Sequence, residues 1–254
     1  MNILSTGLRW ILSRQPIACL PVRVRSGIAQ GAAWTLFPWS AYWRGTHETE
    51  IQARLISLMD WTGKNVWDLG SHYGLFAIGL GHRVGPTGSV AAFEPNPLSY
   101  RRLALHVKRN RLDWVKPFPY AVSNTPGEQR FFVYNGLETT TSHLAYEGET
   151  WNETIPTLTV ASVCLDELVA SGKIHPPDFI KVDVEGHGHK ALEGARATIT
   201  QFRPVILAGM HSEAECKGIS NLLDPLAYRV SPATAGAPQA LTPGFDYFFE
   251  PLAH

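Results

Sequence analysis

From Thr46 onward the chain alternates short apolar runs with segments of helical period, and this alternation constrains its fold more than any other feature. Thr46 is expected to cap a helix with Glu48 and Glu50 in its first turn. Ile51, Leu55, Leu58 and Met59 share one face of that helix, and Gly63 ends it. Residues 64–69 (KNVWDL), 89–94 (SVAAFE), 179–184 (FIKVDV) and 204–209 (PVILAG) read as strands. Residues 75–80 begin a helix, and Asn96 with Pro97 forms an N-cap and first helical residue for one reaching Asn110. Further helices run through Leu192, Ala195 and Ile199, and over 213–223. Extended pieces fall at 118–122, 130–134, 228–230 and 246–250, and residues 135–153 form a long polar and aromatic loop. Strands separated by helices give an α/β fold, a doubly wound and mostly parallel sheet covered on both faces.

Composition narrows the class further. In 254 residues, 22 basic side chains balance 22 acidic ones, which argues against nucleic acid as a partner. The three cysteines are far apart, so a reducing, cytoplasmic setting is expected, without a disulfide framework or structural zinc. No run is long enough for a membrane span. The balance hides an asymmetry: five arginines and no acid precede Glu48, together with Trp10, Trp34, Trp39 and Trp43. Residues 1–45 are therefore expected to be an aromatic, Arg-rich arm on a domain spanning 46–254. Trp34, Phe37, Trp39 and Tyr42 would pack on that domain or on a second copy of the chain, since such aromatics are costly to leave in water.

Ligands of such sheets bind beyond the carboxyl ends of the strands. Four segments occupy that edge: 68–74, 94–96, 183–189 and 209–211. In the first, DLGSHYG, Gly70 permits a sharp turn and close approach to a ligand, and Gly74 would let the helix pack on the strand. Glu94 ends the next strand, 20 residues beyond Gly74, where a carboxylate can accept both hydroxyl protons of a ribose. Together they indicate a nucleoside site. A dinucleotide site would carry GxGxxG, but His72 stands at the second glycine and Asp68 would repel a pyrophosphate.

The blocks WDLGSHYGLFAIGL, GPTGSVAAFEPNPLSYRRL and FIKVDVEGHGHKALEGA, with RGTHETEI before them, resemble successive motifs of the FkbM-type family of class I S-adenosylmethionine-dependent methyltransferases. The resemblance covers about residues 44–207. It implies a Rossmann-like, seven-stranded sheet with its last strand antiparallel and its third at an edge. The prolines Pro117 and Pro119 in that third strand agree, because proline is tolerated at edges. It also implies S-adenosylmethionine as cofactor, with Asp68, Gly70, Ser71, His72, Tyr73 and Gly74 around the methionine moiety. Glu94 would take the ribose, Pro95 and Asn96 would lie near the adenine, and Ala121 and Val122 would flank it. Two departures bear on the acceptor: Gly188–His189 replaces the usual second glutamate of DVEGxE, and the fifth strand ends LAGMH instead of with glutamate.

The expected reaction is O-methylation of a small-molecule acceptor, a sugar or other natural product. The alternatives are a nicotinamide-dependent oxidoreductase and a non-catalytic nucleoside-binding module. A sulfonium methyl is already electrophilic, so the protein needs mainly to align the reactants and remove a proton. His187 and His211 are the candidates to act on the acceptor hydroxyl, with Asp183 at the boundary between cofactor and acceptor. His187 and His189 could equally cap the following helix. Glu185, Thr140 and Ser142 are expected to contact the acceptor. No metal is expected from Asp183, Glu185, His187 and His211, since successive strand residues point to opposite faces and their spacing is no recognised ligand set.

Overall fold

The computed structural model describes residues 20–36, 40–133, 143–144 and 157–252. In chain order, β1 (Pro21–Arg23) and β2 (Ala33–Thr35) precede α1 (Thr49–Leu58) and β3 (Asn65–Leu69). Then come α2 (Leu75–Val84), β4 (Ser89–Phe93), α3 (Pro97–Asn110), β5 (Val115–Phe118), β6 (Ala121–Val122), β7 (Gly127–Phe132) and β8 (His143–Leu144). After β9 (Thr157–Val163) follow α4 (Leu165–Ala170), β10 (Phe179–Val182), α5 (Gly188–Glu193) and α6 (Arg196–Phe202). The remainder is β11 (Val205–Met210), α7 (Glu213–Leu223), β12 (Tyr228–Pro232) and β13 (Phe245–Pro251).

The main sheet has seven strands in the order β12-β13-β11-β10-β3-β4-β5. β11, β10, β3, β4 and β5 are parallel, and β13 runs antiparallel between β11 and β12. Its central parallel strands β3, β4, β10 and β11 are buried on both faces. Val66, Phe179, Leu207 and Phe248 face a core with α2 and α3, whereas Trp67, Ile180, Ile206 and Phe249 face a core with α4 to α7. This two-sided burial explains why the parallel strands read as nearly continuous apolar runs. No helix among the described residues is long and apolar enough to cross a membrane.

Several local expectations are corrected. Thr46 does not cap α1: its N–H donates to Ala41 O in the preceding turn, and Glu48 takes the cap position in the left-handed region. The third strand ends at Phe118, earlier than expected. Pro117 sits in this edge strand and Pro119 immediately follows it, where a missing N–H costs no ladder bond on the open side. Ala121–Val122 instead joins a second sheet, β6-β9-β7-β8, in which β9 pairs with β7 along its length. The strand expected at 130–134 is β7, and β9 was not anticipated.

The hairpin of β1 and β2 lies on α3. Trp34 is buried and stacks on His106 with ring centroids 3.7 Å apart. His106 Nδ1–H donates to Tyr73 O at 2.8 Å, while Nε2 accepts from the N–H of Thr35 at 3.1 Å. Burial pushes the His106 imidazole down to about 4, so a neutral ring ties the hairpin to the glycine-rich turn. Phe37 and Trp39 lie outside the described residues.

Candidate active site

A cavity opens at the carboxyl ends of β3, β4 and β10, where the rule for parallel sheets places ligands. Its wall includes Gly70, Ser71, His72, Glu94, Pro95 and Asn96 on one side, with Ala121 and Val122 beyond them. Lys181, Asp183, Glu185 and His187 form the other side, and Tyr42, His47 and Glu48 close it from the segment before α1.

The first side is built largely by backbone. Gly70 has φ 84°, and a Cβ there would lie 1.9 Å from Asp183 O, so only glycine lets the ends of β3 and β10 approach this closely. His72 is held at φ 49°, and its N–H donates to Glu94 Oε2 at 2.8 Å. The N–H of Asn96 donates to Glu94 Oε1, also at 2.8 Å. Both Glu94 oxygens are thereby oriented, yet each retains lone-pair capacity toward the cavity. Burial pushes Glu94 up to about 7 against these two bonds. The Asn96 side chain accepts from Leu98 N, capping α3 as expected, with Pro97 at its start.

Asp68, Tyr73 and Gly74 do not line the cavity. Asp68 is buried at the end of β3, and burial raises it to about 6 despite the nearby Lys181 charge. The space left by Gly74 admits Leu103 of α3, not the strand: a Cβ there would meet Leu103 Cδ1 at 2.5 Å. The His72 ring stacks on Tyr73 at 3.8 Å, with Nδ1 at 3.0 Å from the Tyr42 hydroxyl. Burial drives the imidazole down to about 3 and the Tyr42 phenol well above its ordinary range, so both are neutral.

The second side is ionic. Lys181, only 4% exposed, places Nζ 2.9 Å from Asp183 Oδ2. His211, at the end of β11, places Nε2 3.2 Å from Asp183 Oδ1 and Nδ1 3.4 Å from Glu185 Oε2. Burial favours protonation of Asp183, but Lys181 and His211 outweigh it and hold the carboxyl well below its usual range. Burial likewise opposes charge on His211, yet the two carboxylates raise it to about 9. Glu185 has φ 51°, so strand alternation does not apply to it, and it stands on the same side as Asp183. Asp183, Glu185 and His211 each offer an atom within 4.8 Å of the others, a grouping the alternation argument did not foresee. His187 is not part of it. His187 stands at the N-cap position of α5, but its side chain makes no capping bond there; the ring instead sits with Nε2 3.0 Å from Ser123 Oγ. Thr140 and Ser142 lie outside the described residues.

Six further residues escaped the sequence argument. Glu215, fully buried, accepts from the N–H groups of His211 and Gly188, both at 2.7 Å, and so fastens the end of β11 to the start of α5. Asp246 on β13 faces the same cluster, and burial raises it to about 6. Tyr42, His47 and Glu48 reach the cavity from outside the sheet. Only Lys181 carried a signal, a lysine inside an apolar run with an acid two residues later on the same face.

Residues 68–230 match the family model of the methyltransferase FkbM domain. Over 158 residues the chain is 31% identical to a protein of Haloferax volcanii named hexuronic acid methyltransferase AglP, covering 62% of this chain and 60% of that protein. The chain thus spans less than two thirds of that relative. Among solved structures, the methyltransferase FkbM of Methylobacillus flagellatus is similar, with a TM-score of 0.53 and 17% identity. That likeness covers 76% of this chain and 45% of the other and concerns the fold.

Proposed function

We propose that this chain, which belongs to the FkbM methyltransferase domain family, transfers a methyl group from S-adenosylmethionine to a hydroxyl oxygen of a sugar or related small polyol. The observation that carries the reading is Glu94, a carboxylate fastened by two backbone N–H groups and turned to the cavity, where it can accept both hydroxyl protons of a ribose. Ala121 and Val122 supply an apolar wall for the adenine, and Gly70 to His72 supply the turn beside the methionine moiety. The sugar acceptor is supported by the name of the Haloferax volcanii relative. The nicotinamide alternative gains nothing, since the stacked His72 ring occupies the place of the second glycine.

In the proposed reaction the acceptor oxygen bonds to the methyl carbon as the carbon–sulfur bond breaks. Sulfur keeps the bonding pair, leaving S-adenosylhomocysteine, and the hydroxyl proton passes to His211 in its neutral form, the minor one near pH 7 because the two carboxylates raise it to about 9. Asp183 lines the cavity, and His211 contacts that residue from the end of β11. His187 becomes a wall residue, because its Nε2 is occupied with Ser123.

Calorimetric titration of the full chain with S-adenosylmethionine and S-adenosylhomocysteine tests the cofactor, and mass analysis of a sugar panel after turnover tests the acceptor. Binding of either cofactor form, together with a sugar heavier by one methylene, is expected. A folded chain that binds neither form overturns the reading, and binding without turnover on any acceptor favours the non-catalytic module.

A further inference from the structure

We propose that Asp183, Glu185 and His211 bind a first-row divalent cation at the acceptor side of the cavity. Its role rests on the methyl-transfer reading above, but its existence does not.

The first support is convergence from separate elements. Asp183 follows β10, Glu185 is swung to the same side by its left-handed backbone, and His211 follows the neighbouring parallel strand β11. Metal–ligand distances of about 2.1 Å put adjacent ligand atoms of an octahedral ion about 3.0 Å apart and opposite ones about 4.2 Å apart. Asp183 Oδ1 and His211 Nε2 are 3.2 Å apart, and no pair in the trio exceeds 4.8 Å. The Asp183–His211 pair already fits adjacent positions. Glu185, whose short contact is with Nδ1, would have to move toward the Nε2 side, by about 0.6 Å for a pair at the 4.8 Å limit to span opposite positions. The ion would take the place of a ring proton of His211.

A second, independent support is the floor beneath the trio. At Gly209 an added Cβ would lie 3.1 Å from His211 Nε2, 3.1 Å from Asp246 Oδ1 and 3.6 Å from Asp183 Oδ1. Three potential donor atoms from three elements thus surround a position that has no side chain. Lys181 engages the other Asp183 oxygen, Oδ2, and leaves Oδ1 for an ion. The surrounding charge also suits a cation: Glu48 and Asp246 join the two carboxylate ligands against Lys181. Glu215 holds the His211 backbone in place, the outer support that metal-binding imidazoles commonly need.

Two carboxylate oxygens and one imidazole nitrogen suit ions such as Mn2+, which combine oxygen and nitrogen ligands. Asp183 and Glu185 line the cavity, so the remaining coordination positions would face it. Vicinal hydroxyls of a sugar could fill two of them, and a coordinated hydroxyl gives up its proton more readily.

The experiment is Mn2+ titration of the chelator-treated full chain, followed by the loss of the free-ion electron paramagnetic resonance signal, without cofactor or acceptor. One ion per chain is expected. Glu185→Gln and His211→Ala should each weaken it tenfold or more, and Gly209→Ala should weaken it by filling the floor. Glu213→Gln, on the exposed start of α7, should leave it unchanged. Circular dichroism confirms that each variant is folded. Absence of stoichiometric Mn2+ on the folded parent overturns the proposal, as does Mn2+ binding that Glu185→Gln and His211→Ala both leave unchanged. Cofactor titration of the same samples separates the two readings: Mn2+ binding without cofactor binding overturns only the methyl-transfer reading, and the reverse overturns only the ion.

Discussion

The two sides of the cavity are made in different ways. The side around Glu94 comes from one βαβ unit, residues 65 to 96, and its key contacts are backbone N–H groups donating to one carboxylate. The opposite side draws side chains from β10, from the turns after β10 and β11, and from the segment before α1, with ion pairs joining Lys181, Asp183, Glu185 and His211. A contiguous, backbone-built subsite suits a ligand that does not vary, because substitution of side chains hardly alters it. A subsite of side chains from separate elements can change one contact at a time. In this chain one departure from the family pattern, His211, joins the ion pairs of the second side, whereas Gly188–His189 opens α5.

This contrast makes its largest prediction at His211. His211→Ala should lower single-turnover methyl transfer at saturating cofactor by about 10²–10⁴-fold, the usual contribution of a group acting on the transferred proton, with cofactor affinity nearly intact. His187→Ala should cost much less. Equal losses in the two variants would return His187 to the chemistry.

The complementary change is Glu94→Ala. Loss of a hydrogen bond to a charged group costs about 1.5–3 kcal/mol, so cofactor affinity should fall roughly ten- to more than hundredfold by calorimetry, while acceptor KM stays put. A shift in acceptor KM of the same size would break the division into two sides.

Proton uptake by Glu94 gives a subtler test. On the proposed reading its ionised form accepts the ribose hydroxyls, and burial raises it to about 7 in the folded protein. Cofactor affinity should therefore fall as pH drops from 8 to 6, and Glu94→Gln should flatten that dependence. In the cofactor-free protein the sign reverses. The folded pKa lies above the unfolded value of about 4.3, so the stability contribution of Glu94 is full below that value and is lost as pH rises through about 7. Thermal melts between pH 4 and pH 8 should show this loss in the parent and less of it in Glu94→Gln.

The smallest effect is expected at Tyr42. Tyr42→Phe removes the hydroxyl 3.0 Å from His72 Nδ1 while keeping the ring, at a cost of about 0.5–1.5 kcal/mol. If the segment before α1 serves the acceptor, this appears as a few-fold rise in acceptor KM. A matching loss of cofactor affinity would instead assign Tyr42 to the cofactor side.

Much of the Glu94 side was legible in the residues alone because its determinants are local. DLGSHYG needs only strand–turn–helix context to place Gly70, and Asn96–Pro97 caps a helix whatever surrounds it. The ionic side was legible only in part. Asp183, Glu185 and His211 were named from their positions after strands, but the argument that kept them apart assumed strand geometry beyond Val182, where the backbone has already turned.

The order of apolar runs by itself determined the α/β class and the parallel sheet, because a strand buried on both faces must be apolar throughout and can be joined in parallel only by a crossover. It also determined which residues reach the ligand edge, since strand ends are marked by where those runs stop. The tertiary structure alone decided which of those residues meet. Pairing β10 with both β3 and β11 brings Asp183 against Gly70 on one side and His211 on the other. The fold of the chain before α1 brings Tyr42 to His72 across 30 positions. These meetings depend on register and on packing between distant segments, and no local propensity encodes the distance between two side chains that far apart in the chain.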